Sequence, residues 1–283
     1  MEKSNNQSSG LNGGRLPQKS IDYFMNTQNW WGPLTFILII SVLGVGMIGF
    51  QTYYEAPPEA SFISPKNETI IEKAAITRGQ KVFHKYALME YGSFFGDGAQ
   101  RGPDFTAEAL HLTAKYMAEY SAKQFLRKNQ RKPSNEEFHV IQEYVKKDLK
   151  INRYNKSSNK IKLTDGQVYA ISRIKTYYQD LYINKNTSRA FPTPGYIKSP
   201  QEIDDLAAFF FWGAWVCAVE RPGSNFSYTH NWPYDPQAGN TPTSPVILWS
   251  VLGMLGFVLG CGVVLYFIGQ YNQLPNKAFM PAK

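Results

Sequence analysis

Two stretches without a charged side chain, Pro33–Phe50 (PLTFILIISVLGVGMIGF) and Pro245–Gly269 (PVILWSVLGMLGFVLGCGVVLYFIG), constrain this 283-residue chain more than any other feature. As helices rising 1.5 Å per residue they approach or exceed the roughly 30 Å of a bilayer's hydrocarbon core. Trp30, Trp31, Tyr53, Tyr54, Trp249 and Tyr266 lie toward their ends, where an amphipathic ring satisfies both phases. Some thirty mostly polar residues precede the first stretch and no small-x-small cleavage site follows it, so it reads as a retained anchor. The expected division is a cytoplasmic tail (1–32), a membrane helix (33–52), an extracytoplasmic domain (53–244), a second membrane helix (245–269) and a second cytoplasmic tail (270–283). Lys3, Arg15 and Lys19 at one end and Lys277 and Lys283 at the other favour cytoplasmic termini. The cytoplasmic (inner) membrane and its lipid are therefore the expected surroundings.

Bulk composition alone, 43% hydrophobic with mildly negative mean hydropathy, would pass for a soluble protein. The clustering of the apolar residues contradicts that reading. The formal charge of +8 does not point to nucleic acid, because the 25 Lys and Arg between the spans alternate with 20 Asp and Glu. Along Lys115–Arg153 this mixture is what a solvated helix face needs. The two cysteines, Cys217 and Cys261, form no metal motif, and the second lies inside a span. Of the four histidines, His84 and His111 fall on expected helices, His139 follows a capping signal and His230 lies before the second span. No metal site is expected from them.

The central segment reads as helical. Helices are expected over Asn67–Tyr91, with Ile70, Ile71, Ala74, Ala75, Val82 and Phe83 on one face, and over Thr106–Arg127, with Leu110, Ala114 and Met117 inward. Ser134 with Glu137 makes a capping box before Phe138, Ile141, Tyr144 and Val145. Further helices open at Asp165 and Ser199, the last running through FFFWGAWVCAV toward Glu220 before Arg221-Pro222-Gly223. Asn159–Leu163 is the one strand candidate.

Between the first two of these helices lies LMEYGSFFGDGAQRGPDF (Leu88–Phe105). It lacks the Lys-Ser/Thr of a phosphate loop, and its two aspartates are too few for a calcium loop. Helix, turn, Gly-x-Gly-Ala, then Pro-acid-hydrophobic-Thr opening a second helix resembles the haem-framing loop of class I cytochromes c. KVFHKYALMEYGSFFGDGAQRGPDFTAEALH and FFFWGAWVCAVERPGSNFSYTHNWPYDPQAGNTPT, with the flanking spans, are similar to the N-terminal part of single-chain quinol-dependent nitric oxide reductases.

That resemblance implies a mainly α fold: a cytochrome c-like helical extracytoplasmic domain lacking haem, flanked by two transmembrane helices. The CxxCH motif of haem-bearing relatives registers on Leu88–Gly92, with Leu88 and Tyr91 at the cysteine positions and Gly92 at the axial histidine. No thioether or axial ligand remains there. The expected cofactors, haem b and non-haem iron, then belong to a catalytic membrane subunit or region that this sequence, ending at Lys283, does not carry. The implied partners are that subunit and, through the complex, quinol. Gly92, Gly96, Gly98, Gly102 and Pro103 are expected to set the loop, and Tyr91, Phe94 and Phe95 to fill the space of a haem. Arg221, Tyr228, Asn231 and Trp232 are candidates to meet the partner or its haem propionates. Gly256 and Gly260 form a GxxxG for helix packing. The chain is read as a non-catalytic component of the reductase; the alternative is a two-span membrane receptor or anchor with an extracytoplasmic binding domain.

Overall fold

The computed structural model describes residues 31–96, 102–184 and 193–272. Contacts divide the chain into two units, one of residues 56–248 and one holding the two apolar segments. In the latter, α1 (Trp31–Tyr54) and α7 (Ser244–Asn272) are both long and apolar enough to cross a membrane. None of their apolar stretch is buried by the chain itself, so that surface calls for lipid or other helices.

The other unit is mainly α. Its helices are α2 (Lys73–Lys85), α3 (Phe105–Asn129), α4 (Asn135–Lys150), α5 (Asp165–Gln179) and α6 (Pro200–Ala218). Four start with a side-chain cap. Asp104 accepts from the Ala107 N–H, Ser134 from Glu137, Thr164 from Gln167 and Ser199 from Glu202, each satisfying a donor the helix leaves unpaired. The capping box at Ser134 is present, and a second occurs at Thr164, so α5 is capped by Thr164 and Asp165 is its first residue.

Helix α6 is the central element. Fifteen of its residues, from Ile203 to Ala218, are buried, and α2, α3 and α5 all pack on it. A Cβ on Gly79 of α2 would stand 2.0 Å from the Asp205 carbonyl oxygen, so only glycine permits this approach of α2 to α6.

Beside the helices stands a small sheet of order β2-β1-β4-β3, made of β1 (Ser61–Ile63), β2 (Thr69–Ile71), β3 (Tyr154–Asn155) and β4 (Lys160–Lys162); β4 falls within the strand candidate Asn159–Leu163, while the other three strands correct a reading that had only helices there. Its middle pair is parallel, with Phe62 opposite Ile161. Ile70 and Ile71 therefore belong to a strand, and the expected helix Asn67–Tyr91 shortens to α2 followed by a 3-10 turn, Leu88–Glu90. β-branched residues at 69–71 suit a pleated strand, and the helical period begins only after them. On α4 the inner face is Val145, Asp148 and Leu149, while Phe138 and Tyr144 are exposed.

Candidate functional site

The glycine loop is built around Asp104. Its Oδ1 caps α3 through Ala107 N (2.8 Å), and its Oδ2 accepts from Ser93 Oγ (2.7 Å) and Gly96 N (2.8 Å). Ser93 and Phe105 tie the two sides of the loop together: Ser93 N donates to the Pro103 carbonyl and Phe105 N to the Ser93 carbonyl. One carboxylate thus starts a helix and closes the loop that precedes it. Gly102 has φ +71°, and a Cβ there would lie 1.7 Å from the Tyr91 carbonyl oxygen, so no other residue fits without moving the backbone. Gly98 lies outside the described residues.

At the positions registered on a haem-attachment motif, Leu88 is fully buried, Tyr91 half-buried and Gly92 buried. A Cβ at Gly92 would come within 2.5 Å of both the Phe105 ring and the Pro103 carbonyl oxygen. The room an axial histidine needs is therefore filled. Beside it, Phe94 stacks on Phe209 (centroids 4.2 Å, 19°) and Phe105 on Phe210 (4.7 Å, 6°), with Phe83 edge-on to Phe105. Gly213 leaves the space for Phe94: its Cβ would meet that ring at 2.6 Å. Leu88, Tyr91 and Gly92 supply neither thiol nor imidazole, so these groups do not fit a thioether-held, axially ligated haem. Of the three aromatics expected to fill that space, only Phe94 is buried. Phe95, at φ +55°, is half-buried and faces Trp212, and Tyr91 lies edge-on to Tyr196.

The segment 219–243 brings together Arg221, Tyr228, Asn231 and Trp232, each half-buried. The Arg221 guanidinium lies over the Phe226 and Tyr228 rings at 6.0 and 5.8 Å. Asn231 Oδ1 accepts from Ser227 N, and the Trp232 ring covers Gly96, joining this segment to the glycine loop. His230 and Asn231 both have positive φ and are held by hydrogen bonds from their N–H groups to Ser227. His230 Nδ1 is 3.3 Å from Thr243 Oγ1, and His111 Nδ1 is 3.1 Å from Asp235 Oδ2.

A polar spine fixes this segment to the helices. Lys150 Nζ donates to Asn240 Oδ1, Asn240 Nδ2 donates to the Cys217 carbonyl (2.9 Å), and Asp235 and Asn240 exchange backbone hydrogen bonds. Burial lowers the Lys150 ammonium to about 8, against the opposing charge of Glu220. Burial also pushes the Cys217 thiol up to about 12, so it stays protonated and inert at neutral pH. Cys217 and Cys261 are free thiols. Among the described residues no cluster of three or more His, Cys, Asp or Glu could hold a metal ion. Gly256 and Gly260 meet no atom within 4 Å where a Cβ would stand.

Sequence reading missed Asp104, Phe105, Gly213, Lys150 and Asn240 as organisers. Asp104 had a visible signal, since an Asp before a helical pattern is a cap; the others act through distant partners.

The family profile described as the NorB cytochrome c-like domain of nitric oxide reductase matches residues 59–234. No curated protein matches the chain. The matched residues include the glycine loop and most of the segment packed on it, and make up more than half of the 283, so the chain belongs to the NorB cytochrome c-like family of nitric oxide reductases.

Proposed function

We propose that this chain is the membrane-anchored, non-catalytic part of a quinol-dependent nitric oxide reductase. In this reading α1 and α7 cross the cytoplasmic membrane and hold the haem-free domain on its outer side. There it covers a catalytic membrane region that carries haem b and non-haem iron. The reaction of the complex joins two nitric oxide molecules, with two electrons from quinol and two protons, into nitrous oxide and water.

The family match supports the link to nitric oxide reduction, and the two apolar helices support the anchoring. The choice of quinol rests on the resemblance to quinol-dependent reductases, and one observation agrees with it. At the place where an electron-carrying cytochrome holds its iron, Leu88, Tyr91 and Gly92 offer no ligand and the Phe105 ring fills the axial site. Electrons then have no haem to pass through in this domain and must enter the complex elsewhere. Arg221, Tyr228, Asn231 and Trp232 remain the candidates for contact with the catalytic region; the Arg221 guanidinium is suited to a carboxylate or propionate. Gly256 and Gly260, open in the chain alone, would let a neighbouring helix approach closely.

Purification through a tag on this chain tests the reading. The expected preparation contains a second, histidine-rich membrane protein and haem b, and consumes nitric oxide with reduced quinol. Recovery of the chain alone from membranes that do reduce nitric oxide overturns it.

A further inference from the structure

The hairpin of α3 and α4 reaches beyond the core. Ala118 is the last buried residue of α3 and Val145 the first of α4, so no side chain from 119 to 144 is buried. At 1.5 Å per residue each helix runs about 15 Å past the core. Helix α5 flanks the base of this arm, where the Tyr169 hydroxyl donates to Glu119 (2.7 Å) and accepts from Lys123 (2.6 Å).

The tip is ordered by its own contacts. Gln130, at φ +55°, closes α3 with its N–H on the Leu126 carbonyl, and the capping box of Ser134 and Glu137 opens α4. Arg131 braces the turn: it donates to both Glu137 oxygens (2.7 Å each), and its guanidinium lies 5.2 Å from the centre of the Phe125 ring. That pair is neutral. Arg127, Lys128 and Lys132 are exposed, and among the described residues none of them has an ion pair. Along 124–140 Glu136 is the one remaining carboxylate, so the tip keeps a positive charge.

Three large apolar side chains lie open among these charges: Leu126 (41% exposed), Phe138 (38%) and Val140 (68%). Solvation accounts for the cations but not for these. Their placement selects the kind of surface that covers them. Leu126 is on one helix and the other two on the next, and Phe138 and Val140 stand about 200° apart around α4 at 3.6 residues per turn. A bilayer takes up a surface helix through one apolar face, which this tip lacks. A second copy would set the same cations against themselves. A chain wrapped around the tip meets apolar groups on several sides with cations between them, so it must carry carboxylates interspersed with apolar side chains.

We propose that the α3–α4 tip docks an acidic, apolar-bearing segment of another protein, with Arg127, Lys128 and Lys132 on its carboxylates and Leu126 and Val140 against its apolar groups. The braced turn holds the tip in shape before the partner arrives, which lowers the cost of binding, and the cations favour the encounter and reject basic partners.

The test uses the full chain in phosphatidylcholine nanodiscs and two fluorescent peptides, acetyl-EDLEDFEELD-amide and the same peptide with Lys for every Glu and Asp, with binding read by anisotropy. The acidic peptide is expected to bind at least about tenfold more tightly than the basic one. Arg127→Glu combined with Lys128→Glu should erase that preference. Leu126→Ser combined with Val140→Ser should weaken the acidic peptide at roughly 500 mM salt, where charge is screened and apolar contact carries the binding. Equal binding of the two peptides, or undiminished binding of the acidic peptide by either double variant, overturns the proposal. Thermal melts matching wild type exclude misfolding; should the charge-reversed double variant melt early, Lys132→Glu, outside both helices, decides in its place. Co-flotation of the nanodiscs with phosphatidylglycerol vesicles, lost on charge reversal and with no peptide binding, would assign the tip to a lipid surface and equally overturns it.

Discussion

Gly102 is the least forgiving residue of the loop, because its positive φ and its closeness to the Tyr91 carbonyl both exclude a side chain. Gly102→Ala should destabilise the domain by about 2–4 kcal/mol, combining left-handed strain with displaced backbone; a thermal melt of the full chain checks this. Lys150 has a pH signature of opposite sense to the usual lysine that gains a partner. Its folded-state value of about 8 lies below the ordinary 10.5, so below pH 8 both states carry the proton and the fold bears the burial penalty. Between about pH 8 and 10.5 the unfolded chain binds the proton and the folded one has released it, so stability rises with pH. Lys150→Met should flatten that rise in unfolding measured from pH 7 to 10.5, while wild type shows it. At the haem-motif positions, converting Leu88 and Tyr91 to Cys and Gly92 to His in a host that matures c-type cytochromes should give no folded haem protein, because Phe105 and the Pro103 carbonyl fill the axial site. A haem-stained variant with native thermal stability would contradict that packing.

At the scale of elements, caps and core faces divide what could be read ahead from what could not. The capping box at Ser134 and the cap at Ser199 are local: a side chain bonds a backbone three residues away, so the sequence carries the whole interaction. Ser134→Ala should cost about 1 kcal/mol. Asp104→Ala should cost more, since the same carboxylate also holds Ser93 and Gly96; the two melts compared side by side test the ranking. The buried run of α6 was legible because FFFWGAWVCAV has no polar face. Of the sheet only β4 was legible, as the candidate Asn159–Leu163; the rest was not, because β1 and β4 pair across about a hundred residues of sequence and each strand is only two or three residues long. The inner face of α4 was legible only in part, at Ile141 and Val145, for a related reason. Phe138 and Tyr144 satisfy a helical period yet stay exposed, and the turn toward Val145, Asp148 and Leu149 is set by tertiary contacts that include the ion pair of buried Asp148 with Arg153.

For the whole molecule, two helices apolar and long enough to cross a membrane accompany one mainly helical domain with a closed aromatic core. The glycine loop was visible in the sequence as a frame, and its registered positions as ligand-free. Of what fills the frame only Phe94 was visible; its partners were not, because Phe209, Phe210 and Gly213 come from a helix a hundred residues downstream. The measurement that reaches the central claim most directly is nitric oxide consumption by the complex purified through this chain, driven either by reduced quinol or by a reduced c-type cytochrome, with a haem stain of the denatured chain. The account predicts consumption with quinol only and no stained band at 32.2 kDa. Consumption driven by the cytochrome, with a stained band at that mass, would contradict it.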